Sequence, residues 1–215
     1  MSLTSLLLFC AVALVAIVTP GPTVLLALSN GSRYGLRVSC MGMAGAVASD
    51  LVLVAAAALG LGALLAASET LFATVKWVGV AYLCFLGLQM MRSRGSRADL
   101  PPAGEGYAGL VRQRPAGGEV FRRSFLVAVT NPKGYLFVSA FLPQFIDPGL
   151  GQLPQYLILA VAFAGIDFMV MLAYAYAGAR AARLLRSQAA RRLDRVCGGL
   201  MIAAAGSLAL YRRSG

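Results

Sequence analysis

The sequence contains no histidine, and only 13% of its 215 residues are charged. A soluble domain carries about 25% charged residues, so this composition, with a mean hydropathy of +0.76, indicates an integral membrane protein. The absence of histidine removes the commonest acid–base residue and the commonest metal ligand. The four cysteines lie singly in or beside apolar segments without a Cys-x-x-Cys pair, which is typical of small packing residues. A membrane enzyme, such as a lipid phosphatase or a quinone-dependent thiol reductase, would therefore lack its usual side chains.

Six apolar segments take up most of the chain. A spanning helix needs about 20 mostly apolar residues. We predict spans at residues 3–28, 38–67, 71–91, 124–142, 155–178 and 196–211. The first segment is too long for the apolar region of a signal peptide and follows no basic residue, so we interpret it as a span. The predicted fold is an all-α integral membrane protein with a single transmembrane domain, residues 1–215.

Basic residues are concentrated on one side of the predicted spans. Arginines follow the first, third and fifth spans, whereas the other side holds only Lys76, Arg212 and Arg213. Because cytoplasmic loops carry an excess of Lys and Arg, we expect both termini on the outer side of the membrane. The net charge of +11 does not indicate a nucleic-acid partner, since the basic clusters have no interleaved aromatic residues.

The two halves of the sequence resemble each other. The matched features are Pro20-Gly21 with Pro132-Lys133, Asp50 with Asp167, and Gly79 with Gly198. Residues 1–92 and 120–215 would then be two three-helix repeats, joined by a cytoplasmic linker rich in Gly, Pro and Arg at residues 93–119. Three spans are an odd number, so the second repeat enters the membrane the opposite way up. The sequence predicts two inverted three-helix repeats, an architecture of secondary transporters.

Each predicted repeat has a break in its first helix. The first break is the run Thr19-Pro20-Gly21-Pro22, and the second is Asn131-Pro132-Lys133-Gly134. Proline removes a backbone donor, and glycine loosens the helical turn. Within hydrocarbon, broken backbone survives only where protein or a wet cavity covers it, and many transporters build their substrate sites there.

Only three charged residues lie well inside the predicted spans: Asp50, Asp167 and Lys133. A charge at the centre of a spanning helix costs about 2.5–3.5 kcal/mol on insertion scales, so a compensating interaction is expected. One interpretation is a buried ion pair that holds helices together. The other is a polar cavity that binds a substrate or carries protons, which is the usual role of ionisable residues within the membrane.

This pattern fits a zwitterionic ligand. The N–H groups of a half-helix favour a carboxylate, Lys133 could add a cation, and Asp50 or Asp167 could hold an ammonium group or a proton. We therefore predict a small ionic metabolite moved by a proton-coupled carrier without a cofactor. The predicted proton-coupling residues are Asp50 and Asp167, and the predicted substrate-binding residues are Pro20, Gly21, Pro22, Asp50, Asn131, Pro132, Lys133 and Asp167.

In this order and spacing, a set of motifs resembles the LysE/RhtB family of amino-acid exporters. The motifs are Thr19-Pro20-Gly21-Pro22, Leu59-Gly60-Leu61-Gly62, Lys76-Trp77-x-Gly79-x-x-Tyr82-Leu83, Asn131-Pro132-Lys133 and Phe141-Leu142-Pro143-Gln144-Phe145. The resemblance implies a six-helix exporter in the bacterial inner membrane, driven by the proton motive force. It implies export of an amino acid or a derivative, but members differ in substrate.

Three alternatives stay open at this point. A metal-cation exporter of a related family is disfavoured, because two separated carboxylates are few ligands for a divalent ion. A membrane enzyme is disfavoured because the sequence lacks histidine and a Cys-x-x-Cys pair. A purely structural role would leave transport independent of Asp50 and Asp167. The small-residue faces around Gly42 and Gly79 could pack within the monomer or in a homo-oligomer.

Overall fold

In the computed structural model, residues 1–60, 69–92, 115–184 and 187–210 are described, and all regular structure within them is helical. The helices are α1 (Leu3–Val18), α2 (Pro22–Tyr34), α3 (Leu36–Ala58), α4 (Glu69–Arg92), α5 (Gly117–Val129), α6 (Pro132–Leu136), α7 (Gln152–Leu184) and α8 (Ser187–Leu210). A π-helical turn, Phe137–Phe141, and a 3₁₀ turn, Leu142–Phe145, follow α6. The predicted all-α class is therefore found in this part of the chain.

The first broken helix is the pair α1–α2, whose two halves are inclined by 61°. Helix α1 ends at Val18, and α2 begins at Pro22, so the break falls on the predicted Pro-Gly-Pro run. Proline suits the first position of α2 because the N–H group that it lacks has no helical acceptor there. The break therefore follows from local sequence.

The second broken helix is formed by Gly117–Val129 and Lys133–Phe145, which are inclined by 58°. Asn131 is the N-cap of α6, and Pro132 is again the first helical residue. The π-helical and 3₁₀ turns then continue the same apolar segment. Both helix breaks thus lie where the sequence predicted them.

Helix length and composition identify four candidate membrane spans in the described residues when each bent pair counts as one. Helix α3, with 23 residues, and residues Gln152–Ala182 of α7 are each long and apolar enough to cross a membrane unbroken. Helices α4 and α8 contain shorter apolar segments, Val80–Arg92 and Arg195–Gly206. The number of six membrane spans stays a prediction.

Some helix limits differ from the predicted ones. Helix α7 extends to Leu184, and α8 begins at Ser187, so most of the arginine-rich stretch between the predicted spans 155–178 and 196–211 is helical. Alanine, leucine and arginine, which dominate this stretch, are strong helix formers. Helix α5 begins at Gly117, inside the predicted linker, and Glu119 lies in its first turn, where a negative charge is favourable. Residues 61–68 and 93–114, which include most of that linker, lie outside the described residues.

Glycines bring three pairs of helices into close contact. A Cβ atom on Gly31 of α2 would overlap the carbonyl group of Ala175 in α7, and one on Gly45 of α3 would overlap that of Phe121 in α5. In the pair α4–α8, a Cβ on Gly198 would lie 2.6 Å from the carbonyl oxygen of Gly87. Small residues allow this close packing of membrane helices.

The face around Gly42 packs within the monomer. A Cβ on Gly42 would meet Ser124 and Val120 of α5. The sequence left open whether the faces around Gly42 and Gly79 pack within the monomer or in a homo-oligomer, and the face around Gly42 makes its contact within the monomer. The surroundings of Gly79 lie outside what the structure describes.

The buried apolar residues form two clusters. One contains Phe9, Phe137 and Phe163, and the rings of Phe137 and Phe163 stack at 5.2 Å with an angle of 11° between their planes. The other surrounds Leu26, on the side where α2, α4 and α8 meet. Near this second cluster, the guanidinium of Arg33 donates a hydrogen bond to the carbonyl oxygen of Met90 at 3.3 Å.

We call the end of the bundle that carries Arg33, Arg92 and Arg123 the arginine-rich end. Helices α2 and α4 end there, and α3 and α5 begin there. The first break lies at the opposite end of α2 from Arg33, and the second break follows the C-terminal end of α5.

Candidate functional site

The two helix breaks meet in space through Lys133. Its ammonium group donates a hydrogen bond of 2.7 Å to the carbonyl oxygen of Thr19, directly after the end of α1. The hydroxyl of Tyr174 donates to the neighbouring carbonyl of Val18 at 2.9 Å. The last carbonyls of a helix have no helical donor and carry partial negative charge, so a lysine is favourable there. The second break therefore supplies the cation that caps the first.

The N-terminus of α2 has no side-chain cap. Its N-cap residue is Gly21, which has no side chain to accept a hydrogen bond, and Pro22 has no N–H group. The carbonyl of Gly21 accepts the first helical hydrogen bond, from the N–H of Leu25 at 3.0 Å. The earlier N–H groups, of Thr23 and Val24, therefore lack acceptors within the helix and form a site with partial positive charge.

The N-terminus of α6 differs, because its own N-cap side chain satisfies it. The amide oxygen of Asn131 accepts a hydrogen bond from the N–H of Lys133 at 3.2 Å. The Asn131 side chain is buried, with 6% of its surface exposed. Of the two half-helix N-termini, only that of α2 is left open to accept a carboxylate.

The two isolated acids of the sequence are brought together. The side chains of Asp50 in α3 and Asp167 in α7 form a hydrogen bond with each other. Both are buried, at 7% and 6% exposure. An ionised carboxylate can only accept hydrogen bonds, so a bond between two carboxyl groups requires a proton on one of them.

One carboxylate oxygen of Asp50 lacks a hydrogen-bond donor among the described residues. Oδ2 of Asp50 is buried and accepts no hydrogen bond from any residue that the structure describes. A buried acceptor without a donor is unfavourable by about 1–3 kcal/mol. Lys133 lies close enough to Asp167 to attract it electrostatically, while its direct hydrogen bond goes to Thr19. The charged groups are therefore not a closed ion pair, and a cationic ligand group would complete the set.

These groups line a pocket of about 480 Å³, counting the space open to solvent. The lining consists of Ala16, Ile17, Thr19, Gly21, Thr23, Asp50, Ala128, Asn131, Lys133, Gly134, Phe137, Phe163 and Asp167. We call this the central pocket.

Of the predicted binding residues, five line the central pocket: Gly21, Asp50, Asn131, Lys133 and Asp167. The three prolines occupy the breaks themselves. Pro20 is exposed between α1 and α2, Pro22 is buried as the first residue of α2, and Pro132 begins α6. The prolines shape the pocket by ending and starting helices.

Sequence reasoning missed the apolar and hydroxyl parts of the pocket. Thr23 follows the first break, and Phe163 lies one turn before Asp167 on the same face of α7. Residues spaced by four on a helix share a face, so this spacing was the available signal for Phe163. Phe137 had no comparable signal, because its position depends on the irregular turn after α6.

Arg123 was also missed, because the sequence analysis placed it only among the arginines that follow the third predicted span. Its Nε and Nη2 atoms are buried and donate to no partner in the described part of the chain. It lies near Arg33, Tyr34 and Tyr82, away from the central pocket. The hydroxyl of Tyr82 donates a hydrogen bond to the backbone carbonyl of Arg123 at 3.4 Å, which links α4 to α5.

Known proteins match this chain over most of its length. The family model described as LysE type translocator matches residues 14–212. A homoserine/homoserine lactone efflux protein of Salmonella typhi is 32% identical over 91% of each chain. A leucine efflux protein of Enterobacter sp. (strain 638) is 30% identical over 86% of this chain and 83% of the relative. An uncharacterized membrane protein of Vibrio cholerae is 35% identical over 81% of each chain.

No solved structure matches the chain significantly. The family match covers both helix breaks and both buried acids, which are the features that form the central pocket. The relatives agree with it in being membrane or efflux proteins. The chain therefore belongs to the LysE type translocator family.

Proposed function

We propose that this protein exports an amino acid or an amino-acid derivative from the cytoplasm across the bacterial inner membrane by proton antiport. The observation that carries the proposal is the hydrogen-bonded pair Asp50–Asp167 beside Lys133 and an uncapped helix N-terminus, all in one pocket. The efflux activity named for relatives on homoserine and leucine supports an amino-acid substrate.

The central pocket offers a partner for each end of a zwitterion. The N-terminus of α2, with Lys133 close by, suits the α-carboxylate. The carboxyl pair, in which Oδ2 of Asp50 is buried without a donor, suits the α-ammonium group. Phe137 and Phe163 give the pocket an apolar wall, against which a substrate side chain can pack.

Proton coupling follows from competition for the same two carboxyl groups. Without a ligand, the pair needs one proton to form its hydrogen bond. An ammonium group placed between the acids supplies donors and positive charge itself, so the proton becomes dispensable. Substrate and proton then replace each other, and a cycle that carries substrate outward returns a proton inward.

The proposed architecture is a pair of inverted repeats, residues 1–92 and 120–215, with six spans. The exchange of packing partners supports it: α3 packs on the second broken helix, and α7 packs on the first. Helices α3 and α7 pack on each other, as do α4 and α8, which is expected for elements related by a pseudo-twofold axis. The axis would pass between Asp50 and Asp167.

The proposed orientation places the arginine-rich end in the cytoplasm and both termini outside. The distribution of basic residues supports this, because Arg33, Arg92 and Arg123 lie at one end of the bundle. A metal-cation exporter has less support, since the described residues contain no group of three or more potential metal-binding side chains.

Efflux from proteoliposomes tests the proposal. Vesicles with purified protein are loaded with labelled homoserine, leucine, lysine or threonine, and release is followed with and without an imposed proton gradient. We expect the release of at least one amino acid. The release should be faster when the imposed gradient drives protons into the vesicles, in the direction opposite to that of the amino acid.

Two variants and one matched control accompany the wild type. Asp50→Asn and Asp167→Asn should each abolish the acceleration by the gradient. Asp147→Asn makes the same change in an exposed loop and should behave as the wild type, because Oδ1 of this side chain accepts from the N–H of Gly149, as an amide oxygen can. A folded wild type that releases no amino acid would overturn the proposed function, and gradient-driven release by either pocket variant would overturn the proposed coupling.

A further inference from the structure

Arg123 is a cation with buried donors that lack an acceptor, and it lies at the arginine-rich end of the bundle. Its Nε and Nη2 atoms donate to no residue in the described part of the chain. These two nitrogens lie on the same edge of the guanidinium, so their N–H groups form a fork that fits two oxygen atoms of one phosphate or carboxylate group. A buried charged donor without an acceptor is unfavourable. We therefore expect an anionic group at this fork.

The charged side chains around Arg123 do not supply that anion. Arg33 of α2 lies near enough to repel it, and the aromatic residues Tyr34 and Tyr82 are also close. Glu119, one turn earlier on α5, attracts Arg123 but is exposed and accepts no hydrogen bond from the two buried donors. We call Arg33, Tyr34, Tyr82 and Arg123 the arginine cluster. Its positive charge exceeds its negative charge, so a bound anion would lower the repulsion between the two guanidinium groups.

The arginine cluster lies where α4 meets α5. Helix α4 packs chiefly on α8 and only loosely on α5, and the hydrogen bond from Tyr82 to the carbonyl of Arg123 joins the two helices. On the side away from the arginine-rich end, Val78 lies one turn from Tyr82 and Leu126 one turn from Arg123. Their exposed fractions are 56% and 38%. A group bound at Arg123 therefore has exposed apolar surface beside it, toward the middle of the bundle.

We propose that Arg123, with Arg33 beside it, binds the phosphate group of an anionic phospholipid in the cytoplasmic leaflet. A free phosphate ion has the same oxyanion chemistry, but only a lipid would also use the exposed apolar surface next to the fork. Basic pockets between membrane helices on the cytoplasmic side bind anionic headgroups in this way. The choice of leaflet rests on the proposed orientation, whereas the phosphate site rests on α2, α4 and α5 and is separate from the central pocket.

Thermal unfolding of the purified protein in detergent tests this site. The added probes are phosphatidylglycerol, phosphatidylcholine with the same acyl chains, and inorganic phosphate. A ligand that binds only the folded protein raises its Tm. We expect phosphatidylglycerol to raise the Tm of the wild type by at least about 3 °C more than phosphatidylcholine does. Inorganic phosphate should have a smaller effect.

Arg123→Gln is the test variant, and Arg37→Gln is its matched control. Arg37 lies in the first turn of α3 at the same end of the bundle and is exposed, so its replacement removes the same charge outside the arginine cluster. We expect Arg123→Gln to lose the Tm difference between the two lipids and Arg37→Gln to retain it. An equal difference in both variants would overturn the proposal, because the lipid would then respond only to the basic surface in general.

Two further results distinguish the source of the anion. An inorganic phosphate effect that depends on Arg123 and equals that of phosphatidylglycerol would support the phosphate site and overturn the lipid as its source. Asp99 and Glu105 belong to the linker outside the described residues, and a linker carboxylate is the rival occupant. A lipid effect that appears only after Asp99→Asn and Glu105→Gln are introduced would overturn the proposal.

Native mass spectrometry of the wild type gives a readout that does not depend on the folding of any variant. Protein exposed to equal amounts of the two lipids should retain phosphatidylglycerol at least about tenfold more than phosphatidylcholine. Equal retention would overturn the proposal. Neither measurement involves transport, so a wild type that moves no amino acid would contradict the proposed function and leave this inference unaffected.

Discussion

Replacement of Lys133 by methionine tests how the central pocket recognises its ligand. Lys133 is one of two lysines in the sequence, and it lies where the two helix breaks meet. The substitution keeps an unbranched side chain of similar length and removes the charge. If the ammonium group attracts the substrate carboxylate, free amino acids should bind more weakly, whereas amino-acid amides, which have no carboxylate, should be little affected.

The magnitude follows from the electrostatics of the pocket. At an effective dielectric constant of about 20, two unit charges about 4 Å apart attract each other by about 4 kcal/mol. Desolvation of the charges offsets part of this attraction, and we take about half, or about 2 kcal/mol, as the net effect. Since about 1.4 kcal/mol corresponds to a tenfold change, we expect an increase of about thirtyfold in the Kd of a free amino acid.

The same substitution has a separate structural effect, which must be measured. The carbonyl oxygen of Thr19 loses its donor, and hydrogen bonds from charged groups contribute about 1.5–3 kcal/mol to stability. Thermal unfolding in detergent should therefore show a lower Tm. Lys133→Arg retains the charge and a donor, so it should restore most of both the stability and the affinity.

Calorimetric titration of the purified protein with leucine and with leucine amide is the assay. The expected result is a large loss of affinity for leucine and a loss below about threefold for its amide. Lys76→Met, which removes the charge of the only other lysine, is the charge-matched control. Equal losses for the acid and the amide would refute the reasoning, because Lys133 would then act only on the structure of the break.

Three further predictions concern coupling, backbone geometry and packing. Asp50→Asn should fold, because an amide can donate to Asp167 without a proton, but efflux should lose its dependence on the pH gradient; a retained dependence contradicts proton sharing. Pro20→Ala should insert into the membrane normally and lower the transport rate, which is measured against the amount of protein in the vesicles; unchanged transport would show that the first break is not needed. Gly31→Val should lower the free energy of unfolding by about 3 kcal/mol or more, and with it the Tm, because the valine side chain would overlap the backbone of Ala175. An unchanged Tm would contradict the close contact of α2 and α7.

Orientation is tested by cysteine labelling at the C-terminus. A cysteine added after Gly215 in a chain without native cysteines should react with an impermeant reagent in whole cells, after the outer membrane is made permeable. Labelling only after the inner membrane is opened would reverse the proposed orientation.

Local chemistry explains why the sequence predicted the helix breaks well. Proline is unfavourable inside a helix but favourable at its first position, and Asn131 is an N-cap before Pro132, so the positions of both breaks follow from neighbouring residues. The limits of α7 were predicted less well. The fifth span was predicted to end at residue 178, where arginines follow, but arginine favours helix and its long side chain can keep its charge in water, so the helix continues to Leu184.

The composition and order of the chain by themselves determined the membrane class, the positions of both breaks, the isolated acids and the family. Each of these depends on neighbouring residues or on residue type alone. Only the tertiary structure placed Asp50 against Asp167, joined Lys133 to Thr19 and packed Gly42 against Ser124. These contacts link residues far apart in the sequence, and they depend on helix crossing points set by glycine packing, which the periodicity of a single helix does not contain.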